Sequence, residues 1–454
     1  MWVSGQTNND SLRQITIRHI HITGNNKTID RIITREIEVQ PGMSYSLKRV
    51  VDSLEYDRYR IYNTNLFNEV EVSLAEIPGD SADILVDVEE RWYFYPVPLF
   101  RPADRSFVDW WYNQNGDLSR VNYGLRLTQW NFRGRAERLR IEAQTGFEDR
   151  LSLNYKIPYI DRKQRHGLIP EIFYFTSKNL GYATEDHLRQ FIMADEQMRR
   201  SVGVSVIHTY RKKFYEYHFT SLGFFNTHIN DTIAFLNPNY LGDGRTRQLF
   251  MTASYGYGFD TRDNINFPLS GHTLFGSVSK SGLGIFKDVD FWSSSLAGSK
   301  FWNLGKGFYQ GSYLQGYWST DGDRALLNFY GLGFEPQILA RGYDRDLIEG
   351  RAFLLSKNST RFRLWQRKYD ISRVMPLQQF QTFPIAIYGK LFYDAAYVWG
   401  FEGYENNDRL TNKAIYGIGA GLDIVSMYDF VIRLEYSTNR AGQQQFFVNF
   451  GADF

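Results

Sequence analysis

The sequence predicts a transmembrane β-barrel of sixteen antiparallel strands preceded by one small α+β domain. Three observations predict it. Apolar residues recur at helical spacing only ahead of residue 62. From residue 92 onward, segments of about ten residues alternate apolar and polar side chains between polar or Gly/Asn/Asp turns, as strands do when one face meets lipid and the other water. Aromatic residues make up 17% of the chain, yet no run approaches the roughly 20 apolar residues that a membrane-crossing helix requires.

The rest of the composition narrows the function. With 52 basic against 50 acidic residues the net charge is +2, so no global field selects nucleic acid. The lack of cysteine removes thiolate metal sites, thiol nucleophiles and disulfide staples together. A hydrophobic fraction of 43% is too high for a disordered chain. The eight histidines show no H-E-x-x-H or H-x-x-x-H spacing, and neither a G-x-S-x-G elbow nor a P-loop is present. The sequence therefore points to no enzyme, no cofactor and no metal.

Residues 1–13 read as an N-terminal tail or the remnant of a signal peptide, with Val3, Ser4 and Gly5 placing short side chains ahead of a cleavage site at Gln6. Residues 14–91 form the small domain. ITIRHIHITG (15–24) alternates imperfectly and ends in a Gly-Asn turn, which predicts a strand. Thr28 is placed to cap a helix running through Arg35 to Ile37, and Pro41-Gly42 stops it. Ser46 caps a second helix through Tyr62, with Val50, Val51, Leu54, Tyr59 and Ile61 mostly on one face. Two strands, 69–77 and 83–91, close a β-α-α-β-β unit around the Pro78-Gly79-Asp80 turn.

Residues 92–454 supply the barrel. Its sixteen segments begin near Trp92, Asn122, Arg138, Arg150, Gly167, Arg200, Tyr215, Gln248, Gly271, Phe291, Phe308, Phe353, Ile385, Lys413, Phe430 and Phe446. In the third, Leu139, Ile141 and Ala143 oppose Arg138, Arg140, Glu142 and Gln144; in the fifteenth, Phe430, Ile432, Leu434 and Tyr436 oppose Arg433 and Glu435. An open sheet of this size would expose two edges and a wide apolar face, whereas a closed cylinder in lipid leaves no edge and turns that face outward. Trp92, Tyr93, Trp130, Tyr159, Trp302, Trp318, Trp365 and Trp399 sit at strand ends, where interfacial rings belong.

Three motifs go beyond architecture. QQQFFVNFGADF ends the chain with Phe450 and Phe454 on the outward face and resembles the sorting signal of outer-membrane barrels. LARGYDRDLIEG (339–350) lies in the long connection before the strand at Phe353, and its Arg341-Gly342-Tyr343 resembles the [VI]-R-G-[FY] signature of the outer-membrane assembly-factor and surface-antigen superfamily, the BamA and TamA type of barrel. FDTRDNINFPLSGH, with Asp260, Arg262, Pro268 and Gly271, resembles a turn of that family, and LFYDAAYVWG (391–400) resembles one of its strands, with Ala396 in place of the usual glycine. The N-terminal unit resembles a POTRA domain through Arg35-Glu36-Ile37, Gly42, Asp57 and LFNEVEV (66–72).

The resemblance implies an outer-membrane protein with its POTRA domain in the periplasm, handling unfolded outer-membrane or secreted client proteins with the help of accessory periplasmic proteins or lipoproteins. It implies that Arg341 pairs with a carboxylate on the inner wall; Asp394 is the first candidate and Glu435 the second, because Arg361 and Arg363 stand where the family offers a glutamate. It further implies client binding by strand addition along Glu69, Val70, Val72 and Leu74. The seam between first and last strands is weakened by Pro96 and Pro98, which lack N–H groups, and by Gly451. A seam that parts transiently would insert client hairpins into the bilayer. The alternatives are an export pore of the two-partner secretion type, plugged by the Arg341 loop, and a passive porin or surface protein.

Overall fold

The computed structural model describes residues 13–77, 79–102, 115–321, 325–335, 338–402 and 407–451. Val3 to Gly5 and Phe454 lie outside them.

The N-terminal domain runs β1 (Gln14–Thr23), α1 (Asp30–Thr34), β2 (Ser44–Ser46), α2 (Leu47–Tyr62), β3 (Phe67–Ile77) and β4 (Ser81–Glu90). Its sheet has the order β2-β1-β4-β3, with β1 parallel to β4. A bulge between Ile17 and Ile20 explains the broken alternation of β1. Ile15, Ile17, Ile84 and Val86 pack beneath Ile33, Val50 and Ile61 of the helices. Ser46 caps α2 by accepting the Arg49 N–H at 3.4 Å. Two helical expectations are corrected. The first helix ends at Thr34, and Thr28 does not cap it, because its hydroxyl and N–H are held by the Glu90 carboxylate at 2.5 and 2.6 Å. Val51 points to solvent, off the packed face of Val50 and Ile61.

The barrel strands fall on the alternating segments: β5 (Phe94–Pro102), β6 (Val121–Phe132), β7 (Glu137–Gly146), β8 (Glu148–Lys156), β9 (His166–Ser177), β12 (Arg199–Arg211), β13 (Glu216–Ile229), β14 (Arg247–Asp260), β15 (Gly271–Ser281), β16 (Phe291–Gly305), β17 (Phe308–Ser319), β20 (Ala352–Asp370), β21 (Thr382–Trp399), β22 (Ala414–Val425), β23 (Val431–Asn439) and β24 (Gln444–Phe450). Each pairs antiparallel with the next in one sixteen-stranded sheet. Alternation did not announce the additions at the end remote from the N-terminal domain: a hairpin of β10 (Asn179–Glu185) and β11 (Leu188–Met193), helix α3 (Asp231–Leu236), and the short pair β18 (Gly331–Leu332) and β19 (Ile348–Glu349).

Among the described residues no ladder joins β5 to β24. Hydrogen-bond parity supplies a reason. The Trp130 N–H donates to the Tyr93 carbonyl at 2.7 Å, in the register that pairs Phe94 with Gln129. Odd-numbered residues of β5 therefore bond to β6, and Phe94, Pro96, Pro98 and Phe100 turn their backbone groups toward β24. Two of those four have no N–H to donate. The Gly451 N–H bonds to the Val431 carbonyl at 2.9 Å, so the even residues of β24 face the same gap.

The outer face is apolar: Leu296, Leu314, Leu391 and Phe446 are exposed there, as are Trp302, Trp318, Trp365 and Trp399. Tyr93, Trp130 and Tyr159 do not belong to that girdle. Tyr93 is buried in the core of the N-terminal domain, and Trp130 and Tyr159 pack against it, because the domain docks on the near rim of the barrel.

Candidate functional site

The connection from β17 to β20 turns back into the barrel and delivers Arg341 to the inner wall. Residues on the inward side of β20 to β23 carry charge where the outward side is apolar, so these carboxylates and cations meet in one buried layer. Arg341 donates from Nε and Nη2 to the two Asp394 oxygens at 2.8 and 2.5 Å, and its backbone N–H adds a third bond to Oδ2 at 3.0 Å. Its Nη1 reaches Ser359 Oγ at 3.1 Å and Glu435 at 3.5 Å, and the guanidinium lies 4.0 Å from the centre of the Phe392 ring. Both candidate carboxylates thus lie against Arg341, Asp394 by the two-pronged contact and Glu435 by the longer one.

Gly342 adopts φ +95, a conformation that a side chain resists, and its carbonyl accepts Asn439 Nδ2 at 3.0 Å. Tyr343 is buried, with its hydroxyl accepting the Arg440 N–H at 3.4 Å. Sequence reasoning missed the continuation of this layer. Lys390 bridges Asp423 at 2.7 Å and Glu435 at 2.8 Å, and Arg361 donates to Asp423 at 2.9 Å. Charged residues on the inward side of otherwise apolar strands were the available signal.

The FDTRDNINFPLSGH turn takes another position. Arg262 is paired with Asp260 at 2.7 Å, Pro268 is buried, and Gly271 opens β15. The turn docks on the N-terminal domain: Asn63 Nδ2 donates to the Arg262 carbonyl at 2.9 Å, and Asn266 Nδ2 to Asn65 at 2.9 Å. Asp429, which the sequence did not single out, joins the two units. Its oxygens accept Tyr62 OH at 2.8 Å and Arg91 Nη2 at 3.1 Å from the domain, and Asn264 and Asn266 at 2.8 and 3.3 Å from the turn. Burial, and then the Asp429 charge, hold the Tyr62 hydroxyl above its ordinary range, so it stays a donor. Farther round, Arg211 makes a two-pronged pair with Glu36, both contacts 2.7 Å.

β3 lies at the open edge of its sheet, bonded to β4 on one side only. Val70, Val72 and Leu74 pack into the domain core, while Glu69 is exposed and paired with Lys368. The lower half of the edge, Glu69 to Glu71, borders a cavity of about 610 Å³ whose other wall includes Lys368, Thr382 and Asp429. On the seam, Phe94 and Phe450 are exposed, and Pro96 and Pro98 lie on the edge of β5 that faces the gap, whereas Gly451 follows β24 with its N–H bonded to Val431 on the β23 side.

Residues 131–454 match the family model described as the Omp85 superfamily domain. The chain belongs to the Omp85 superfamily. Residues 15–91 match the POTRA model described as a surface antigen variable number repeat, and this Omp85 protein sits in the outer membrane with its POTRA domain in the periplasm. It is 36% identical over 81 residues to the outer membrane protein assembly factor BamA of Neorickettsia risticii, a stretch covering 18% of this chain and 10% of that protein. Among solved structures, BamA from Haemophilus ducreyi lacking POTRA domains 1–3 is similar at TM-score 0.52 and 16% identity, over 96% of this chain and 83% of that one. CdiB from Escherichia coli is similar at TM-score 0.58 and 10% identity, over 97% and 76%. At these identities the structural likeness concerns the fold.

Proposed function

We propose that this Omp85 protein inserts β-barrel clients into the outer membrane. An extended client segment adds to the β3 edge through backbone bonds and passes to the unpaired edges of β5 and β24, where its strands form against a ready template before release into lipid. The observation that carries the proposal is the ladder that, among the described residues, ends at β5 on one side and at β24 on the other with no pairing between them. Two others support it. The β3 edge borders a cavity on the periplasmic rim. The lumen holds the Arg341 loop in a buried ion-pair layer, and the POTRA domain covers the near mouth, an arrangement suited to lateral passage better than to passage along the barrel axis.

The test is reconstitution of the full chain in liposomes, with an unfolded outer-membrane barrel added from outside. The client's acquisition of heat-modifiable mobility on gels should outpace that in empty liposomes, while planar bilayers containing the protein stay nearly silent. Large steady conductance with no gain in client folding would move the function to the export-pore reading.

A further inference from the structure

The lipid-facing side chains at the periplasmic ends of β9, β12, β13 and β14, the fifth to eighth strands counted from β5, form a continuous ladder of rings. His166 stacks on His208 and Tyr210 with centroids 5.2 and 4.9 Å apart, and Tyr210 stacks on His218 at 5.8 Å. His218 meets the Tyr257 ring at 5.3 Å, and its Nδ1 lies 2.7 Å from the Tyr255 hydroxyl. Strand register sets His166 opposite Tyr210, Tyr210 opposite His218 and His218 opposite Tyr257, on the same face as the exposed Ile172, Val204, Val206 and Leu222.

At the foot of this ladder, two adjoining turns expose Arg162, Lys163, Arg165, Lys212 and Lys213; the Arg211 N–H joins them by donating to the Arg165 carbonyl at 2.7 Å. The nearby Asp161 carboxylate is engaged by the backbone N–H groups of Lys163, Arg165 and His166 at 3.1, 2.9 and 2.8 Å. Lys213 pairs with Glu216 at 3.3 Å, but Arg162, Lys163, Arg165 and Lys212 make no ion pair among the described residues. Elsewhere on the same rim Arg133 and Arg135 are matched by Glu137 and Arg262 by Asp260, while Lys306 and Arg373, which make no ion pair among the described residues, are each the one cation of their turn.

We propose that this foot binds an anionic phospholipid of the periplasmic leaflet. The headgroup phosphate is held by the unmatched cations, which lie where a leaflet's phosphates lie, and the glycerol and upper acyl chain run along the rings. An acidic protein would meet the turns but leave the rings unused, since they face the hydrocarbon boundary. The ladder stands across the barrel from the seam, so a bound lipid anchors the wall that does not open; that consequence rests on the proposed function, whereas the binding does not.

Native mass spectrometry of the full chain, in detergent with phosphatidylglycerol or phosphatidylcholine added at equal concentration and no client present, tests the site. Wild type should retain phosphatidylglycerol in preference, and excess glycerol phosphate should not displace it. The variant Arg162→Gln/Lys163→Gln/Arg165→Gln/Lys212→Gln should retain about tenfold less, with heat-modifiable mobility unchanged. Lys306→Gln/Arg373→Gln, which removes exposed cations on other turns, should bind like wild type. Equal retention of the two lipids, displacement by glycerol phosphate, undiminished binding by the four-residue variant, or an equal loss in the control would each overturn the proposal.

Discussion

Arg341 and Asp394 form a two-pronged ion pair in the barrel interior, both side chains almost fully removed from solvent. Breaking such a pair leaves a charge stranded, at a cost of about 3–5 kcal/mol. Arg341→Ala should therefore release the loop, seen as faster protease cleavage between residues 320 and 351 in folded protein. Arg341→Lys should rescue little, since an ammonium makes no two-pronged bond. Cleavage at the wild-type rate in both variants would show that the pair does not hold the loop.

Gly417 lies against the same loop. A Cβ there would come within 1.9 Å of the Arg341 carbonyl oxygen, a backbone atom that cannot swing away. Gly417→Ala should reproduce the loop release of Arg341→Ala with every charge intact, measured by the same cleavage rate. An unaltered rate would mean that the loop does not approach β22 so closely.

Asp429 accepts four hydrogen bonds across the POTRA–barrel joint, and it and Tyr428 hold left-handed backbone at φ +55 and +57. Asp429→Ala should weaken the joint by about 2–4 kcal/mol. Hydrogen exchange should rise at Asn63 to Asn65 and at Asn264 to Asn266 while the strands keep their protection. Protection equal to wild type at both places would contradict this role.

His187 gives the extracellular side a pH dependence. It sits fully buried at the tip of the β10–β11 hairpin at φ +64, with Nε2 accepting the Leu410 N–H at 2.9 Å and Nδ1 facing the Leu347 carbonyl at 3.2 Å. That arrangement requires the neutral ring. Burial lowers its pKa from 6.5, helped by Arg409 and opposed by the Leu347 bond and by Asp346 and Asp186. A histidine with a depressed folded pKa contributes stability that is complete above the unfolded value and is lost as pH falls through the folded one. The hairpin tip should thus exchange its amides faster, relative to base-rate-corrected strands, as pH drops from 7 to 5. His187→Asn should flatten the dependence, and a wild-type tip indifferent to pH would reject the mechanism.

Much of this was legible in the sequence for a physical reason. Lipid on one side and water on the other impose a period of two, so alternation located all sixteen strands, and Ser46 announced α2 through its capping hydroxyl. What stayed hidden depends on contacts between distant segments. Nothing local marks Asp429 as a joint, because its partners come from residues 62, 91, 264 and 266. Thr28 looked like a cap until Glu90, far along the chain, took its hydroxyl. Tyr93, Trp130 and Tyr159 have girdle chemistry but lie under a docked domain. Pro96 and Pro98 were visible as missing donors, whereas which edge they weaken depends on the hydrogen-bond parity of β5.

The insertion rate of Pro96→Val/Pro98→Val measures the central claim most directly. The substitutions return two N–H donors to the edge of β5 that faces β24, and at about 1 kcal/mol each the seam should close enough to slow client insertion in liposomes by about tenfold or more. The account predicts that slowing with the barrel's own heat-modifiable mobility retained. Client insertion at the wild-type rate by a folded variant would contradict it.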